Sequence, residues 1–143
     1  MKSKLIHENG TKTFAVVFDK GDEALEGLKS FALENSLSAA QITAVGAFSD
    51  AILGYFNYDK KDYERIEVDD QVEVLSFLGD VAVDEDKPSV HIHTVLGRSD
   101  GSTVGGHLLE GHVRPTLEVI IRETPASLQK TRDKETGLAL ISL

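Results

Sequence analysis

Apolar and polar positions divide this chain into one helical stretch and many short alternating ones. Thr13-Phe14-Ala15-Val16-Val17-Phe18 is rich in β-branched and aromatic residues and stops at Asp19-Lys20-Gly21, the pattern of a strand followed by a turn. Helical spacing then takes over. Leu25, Leu28, Phe31 and Ala32 fall on one face, Asp22 serves as N-cap or first-turn acid and Asn35 as a stop, which predicts a helix over about residues 22–35. From Ala40 onward the pattern becomes one of short strands broken by glycine, over 42–48, 51–58, 63–68, 72–78, 80–84, 89–97, 102–109, 116–123 and 137–143. Asp59-Lys60-Lys61-Asp62 separates two of them as a hairpin loop.

One helix near the start and a long succession of strands predict an α+β fold: an antiparallel or mixed, partly barrel-like sheet with the helix packed on it. A doubly wound parallel sheet is disfavoured, because helical segments do not alternate with the strands. The 143 residues, 41% hydrophobic and 27% charged, suit one domain over residues 1–143 with a single core. Apolar runs such as Leu138 to Ile141 fall well short of the roughly 20 residues that cross a bilayer. The first eight residues turn polar before the apolar core of a signal peptide can form. A cytoplasmic protein is therefore expected, with no membrane partner.

Composition then narrows the chemistry. With no cysteine, disulfides, thiolate zinc sites and cysteine nucleophiles are excluded, and any metal must rest on imidazole, carboxylate or carbonyl ligands. A formal charge of −9, from 24 acidic and 15 basic residues, repels a polyanion unless the basic groups are gathered on one face. They are not gathered in the sequence. Lys60-Lys61 lies between Asp59 and Asp62, and Lys130, Arg132 and Lys134 alternate with Asp133 and Glu135, runs that read as solvated faces.

Three of the five histidines, His91, His93 and His107, fall within 17 residues. His91 and His93 are two apart on a predicted strand, so their side chains leave the same face about 6–7 Å apart. Arg98-Ser99-Asp100-Gly101-Ser102 supplies a tight turn, and the returning strand carries His107. Register decides whether the third imidazole joins the pair. A two-residue Asp100-Gly101 loop makes paired positions sum to 201 and puts His107 opposite Thr94, on the wrong face. A three-residue loop with a glycine bulge makes the sum 200 and puts His107 opposite His93. In that register, three neutral imidazoles with one open position form the ligand set of a catalytic zinc, and other divalent first-row ions fit too. Gly105-Gly106, just before His107, suit close approach of another strand or subunit. Taken singly, each histidine reads as an ordinary strand residue; clustered, they leave a ligand site and ordinary strand residues as evenly matched alternatives. His7 and His112 fall outside it.

At these residues the sequence resembles the plant and prokaryote conserved (PPC) domain family. The likeness runs nearly end to end, through Val45-Gly46-Ala47-Phe48, Leu53-Gly54-Tyr55-Phe56, Val74-Leu75-Ser76-Phe77-Leu78-Gly79 and His91-Ile92-His93-Thr94-Val95-Leu96-Gly97. It continues in Gly105-Gly106-His107-Leu108-Leu109-Glu110-Gly111, Leu117-Glu118-Val119-Ile120-Ile121 and Gly137-Leu138-Ala139-Leu140. The resemblance implies a sheet-rich homotrimer and a distant likeness to acetolactate decarboxylase, a zinc enzyme with a similar H-x-H pair and a later histidine. It thereby implies His91, His93 and His107 as ligands of a divalent metal, zinc first among the choices. The family is also labelled DNA-binding, largely through plant members that carry Arg-Gly-Arg-Pro segments. This chain has none, so the label transfers poorly.

Three functions follow as expectations. The first is a homotrimeric metal-binding or regulatory module. The second is a zinc-dependent lyase or hydrolase of acetolactate-decarboxylase type acting on a small oxo or hydroxy acid, for which Glu118, Arg98 and Arg114 are thin candidates as further active groups. The third, association with DNA, is disfavoured by net charge.

Overall fold

The computed structural model describes residues 1–143. Its elements are β1 Lys2–Glu8, β2 Lys12–Phe18, α1 Ala24–Glu34, β3 Ala39–Asn57, β4 Asp62–Val68, β5 Val72–Asp84, β6 Lys87–Gly97, β7 Thr103–Glu123, β8 Gln129–Arg132 and β9 Ala139–Ser142. The expected α+β class holds: a mixed, mainly antiparallel sheet with one helix on it. No helix is long and apolar enough to cross a membrane.

The helix forms where the 3.6-residue period places Ala24, Leu25, Leu28, Phe31 and Ala32 on one buried face. Its cap is Glu23, not Asp22. The Glu23 carboxylate accepts from the backbone N–H groups of Leu25 and Glu26, while Asp22 accepts from Asp19 N–H in the preceding turn. Asn35 ends the helix as expected, its side-chain amide donating to Phe31 O at 2.9 Å. Phe31 meets Phe14 of β2 edge to face, with ring centroids 5.2 Å apart.

Three long strands replace what the sequence pattern divides into six. β3 runs unbroken over the two stretches expected at 42–48 and 51–58, and β5 and β7 likewise join neighbouring stretches. The reason is bulging. Against β7, the register of β3 slips between Gly46 and Phe48, Phe48 and Asp50, and Ile52 and Leu53, so alternation breaks while the strand continues. At Gly46 (φ +153°) a Cβ would run into the Thr116 carbonyl, so only glycine fits there.

Strand order is β1-β2-β7-β3-β5-β8-β9, with β4 on β3 and with β6 paired to both β5 and β7. β3, β5, β6 and β7 thus pair around a closed ring, the form the expected barrel-like curl takes. The core includes Phe18, Phe48, Phe77, Leu28, Ile42, Leu53, Ile92, Leu96 and Leu108, each under 2% exposed. Burial of each contributes about 1.5–3 kcal/mol relative to exposure. The outer face of the β5–β6–β7 part of the ring carries the histidines.

Candidate metal centre

From His91 to Leu96, buried and more exposed residues alternate along β6. Ile92 and Thr94 turn into the core at 0% and 2% exposure, so His91 and His93 must face outward on the ring. The connection to β7 is a three-residue loop: Arg98 N–H donates to Ser102 O at 2.8 Å and Gly101 N–H to Arg98 O at 2.9 Å, with Gly101 at φ +82°. Asp100 Oδ1 ties the loop by accepting from both Ser102 N–H and Ser102 Oγ. Of the two registers open in the sequence, the loop selects the one summing to 200, and His93 stands directly opposite His107. β3 supports it from the other side, with Gly54 paired to His107. Gly106 lets these strands close up, because a Cβ there would lie 2.8 Å from Gly54 O.

The three imidazoles converge. One nitrogen from each of His91, His93 and His107 lies within 4.8 Å of the others, and the ring centroids are 4.9, 5.0 and 5.6 Å apart. A tetrahedral ion about 2.0–2.1 Å from each nitrogen would hold two nitrogens about 3.4 Å apart, so the three rings would have to draw together to hold one. Burial, with the charge of His91 next, lowers the pKa of His93. For His107 burial lowers it to about 4, helped by His91 and His93 and then by Lys130. Both rings are therefore neutral at neutral pH, the state in which an imidazole ligates.

A second ring of partners orients the first. Asp80 of β5 approaches His91 Nδ1 with Oδ2 at 3.4 Å, which leaves Nε2 for an ion. The His91 contact, aided by the Lys130 charge, holds the Asp80 carboxyl below its usual range despite burial. Tyr63 of β4 stacks on His107 at 4.7 Å between centroids, and burial pushes its hydroxyl pKa upward. His107 Nδ1 is buried with no hydrogen-bond partner. A cavity of about 400 Å³ opens beside the cluster between His91, His107, Tyr63, Asp80, Lys130 and the β9 strand.

Asp80, Tyr63 and Lys130 carried no signal as site residues in the sequence. They come from three different strands, and Lys130, expected on a solvated face, has a side chain only 5% exposed. The other expected active groups lie elsewhere. Arg98 stands 3.8 Å from Asp70 beside a separate hollow, and Glu118 and Arg114 are exposed. His112 joins Asp50, its Nδ1 2.6 Å from Oδ1, which raises its pKa.

Fold and cluster together define a sheet-rich α+β protein with an outward three-imidazole centre. The chain belongs to the Plants and Prokaryotes Conserved (PCC) domain family, whose sequence profile matches residues 6–125. It is similar to a metal-containing protein of Archaeoglobus fulgidus, at 32% identity over 100% of both chains and a TM-score of 0.84. It is similar to a plant- and prokaryote-conserved protein of Pyrococcus horikoshii as well, at 29% identity over 99% of this chain and 95% of that one, with a TM-score of 0.85. A protein of Ralstonia eutropha provisionally described as DNA-binding shares 26% identity over 91% and 90%, with a TM-score of 0.84. No curated protein matches the chain.

Proposed function

We propose that this chain is a divalent-metal protein in which His91, His93 and His107 hold one ion, zinc first among the choices, and leave one position open. The observation that carries the reading is the convergence of three imidazole nitrogens within 4.8 Å, around a His107 ring whose buried Nδ1 has no partner. When bound, such an ion supplies Lewis acidity at the open position. The chain's own residues prepare that position: Asp80 fixes the His91 ring and Tyr63 walls in His107. Calorimetric titration of the metal-free protein with zinc tests the reading. One-to-one binding in wild type, weakened at least a hundredfold in His107→Ala, is expected; equal binding by both proteins removes the site.

The working unit in this reading is a single domain that assembles as a homotrimer in the cytoplasm. Exposed Val45, Leu75, Leu78, Val95 and Ile120 support assembly, since exposed apolar side chains on neighbouring strands are what a subunit contact covers. Direct DNA binding gains no support from a chain of charge −9, a value tripled in a trimer.

A second reading, a metal-dependent lyase or hydrolase of acetolactate-decarboxylase type, is favoured by the cavity of about 400 Å³ beside the cluster, which is lined by a carboxylate that can accept a proton, Asp80, and an ammonium that can donate one, Lys130. Assaying the zinc-loaded protein against a panel of small oxo and hydroxy acids tests it, and absence of turnover across the panel leaves the binding module.

A further inference from the structure

The outer face of the ring carries two rows of side chains that run across the strands, because directly paired residues of an antiparallel sheet share a face. His93 pairs with Leu78, Leu78 with Thr43, Thr43 with Ile120 and Ile120 with Ala15, which makes one row over β6, β5, β3, β7 and β2. In the neighbouring row Val95 pairs with Ser76, while Val45 and Val17 pair with Glu118 from either side. Leu78, Val45, Val95, Ile120 and Val17 are all exposed. Glu118 is exposed too and has no hydrogen-bond or ion-pair partner. It is the only acidic or basic residue of the two rows besides His93.

The two ends of this face are unlike. A divalent ion held by the histidines brings two positive charges to one end, where His93 is the exposed member of the cluster, and Glu118 gives the other end a negative charge. Within one chain the two do not meet. Three strand spacings of about 4.8 Å, roughly 14 Å, separate His93 from Ile120 along the row, and Glu118 lies two residues further along β7. That is more than a glutamate side chain spans. In a trimer, moreover, contacts run head to tail, one patch of each subunit meeting a different patch of the next. A face with ends of opposite charge, joined by exposed aliphatic side chains, meets that requirement with a second copy as the occupant.

We propose that a second copy of this chain covers the face head to tail and sets Glu118 of the partner subunit against the histidine-held ion, so that assembly and metal binding strengthen each other. The inference rests on the readings of the cluster as a metal centre and of the chain as a trimer, and it adds the residue that joins the two. By linkage, whatever factor zinc adds to assembly, assembly adds to zinc affinity.

Sedimentation velocity over a concentration series, with and without zinc, is run on wild type, Glu118→Gln and the exposed control Glu34→Gln, and zinc affinity is measured by calorimetry. Zinc is expected to lower the concentration of half assembly at least tenfold in wild type and control and less than twofold in Glu118→Gln, whose zinc-free assembly matches wild type. In the Leu75→Asp monomer, adding Glu118→Gln is expected to leave zinc affinity unchanged, because the carboxylate acts only from a neighbouring chain. An equal effect of zinc on the assembly of wild type and Glu118→Gln, or a loss of zinc affinity on adding Glu118→Gln to the monomer, overturns the inference and leaves the metal centre and the trimer standing. A wild type that binds no zinc removes the metal reading, and one that binds zinc but stays monomeric removes the assembly and leaves the face to another partner; either result takes this inference with it. If Glu118→Gln does not fold, a crystal structure of the zinc-loaded trimer decides: Glu118 facing the histidines of the neighbouring subunit is expected, and Glu118 lying in solvent refutes the contact.

Discussion

At the scale of single residues, His107 concentrates the effects of burial. Its pKa of about 4, against 6.5 for an unhindered imidazole, means that the unfolded chain binds more protons than the folded one between those values. The stability His107 contributes is present above pH 6.5 and is lost as pH falls through the window toward 4. The loss is on the order of 1 kcal/mol once solvent screening of a half-buried ring is allowed for. Urea midpoints of the metal-free protein are therefore expected to fall more steeply between pH 7 and pH 4 in wild type than in His107→Gln; parallel pH profiles contradict the burial of this ring. The clustered histidines are legible in the sequence because an H-x-H pair on a strand declares its own face. Asp80, Tyr63 and Lys130 are not, because each meets the cluster only through strand pairings far apart along the chain. Lys130 stands in the four-residue strand Gln129-Lys130-Thr131-Arg132, which holds no apolar residue to mark an inner side.

At the scale of elements, the turn of Arg98 to Ser102 brings His107 opposite His93, and two independent supports hold that register. One is the glycine-bulge loop and the other is the pairing of β7 with β3. Gly101→Ala places an L-residue in the left-handed region, at a cost of about 1–2 kcal/mol. Its thermal midpoint should drop while zinc affinity stays within a few-fold of wild type, and loss of zinc binding would show that the loop alone holds the register. Gly106→Ala acts differently. Its Cβ meets the Gly54 carbonyl, so strands on either side of His107 must separate; a loss of about 1–3 kcal/mol together with weaker zinc binding is expected, measured by urea unfolding and calorimetry. Helix α1 and most strands could be read from period and turn residues. β1 could not, because all seven of its residues are exposed at a sheet edge and no alternation marks it. The long strands look in sequence like pairs of short ones because bulges interrupt the two-residue period without ending the pairing.

At the scale of the whole molecule, the proposed self-assembly rests on exposed apolar side chains of β3, β5, β6 and β7, and a formal charge of −9 argues against polyanion binding. Sedimentation velocity of wild type is expected to give a trimer, and Leu75→Asp, at a side chain 61% exposed in the single chain, should shift it toward monomer with little change in secondary structure. A wild type that sediments as a monomer refutes the assembly. A gel-shift titration at low salt, where phosphate contacts are strongest, should show no DNA binding. The central claim is that three histidines on two strands hold one ion, and the most direct measurement is elemental analysis of protein purified without a polyhistidine tag. The account predicts close to one divalent first-row ion per chain in wild type and its loss in His93→Ala; a wild type free of stoichiometric metal, or a His93→Ala variant that retains it in full, would contradict it.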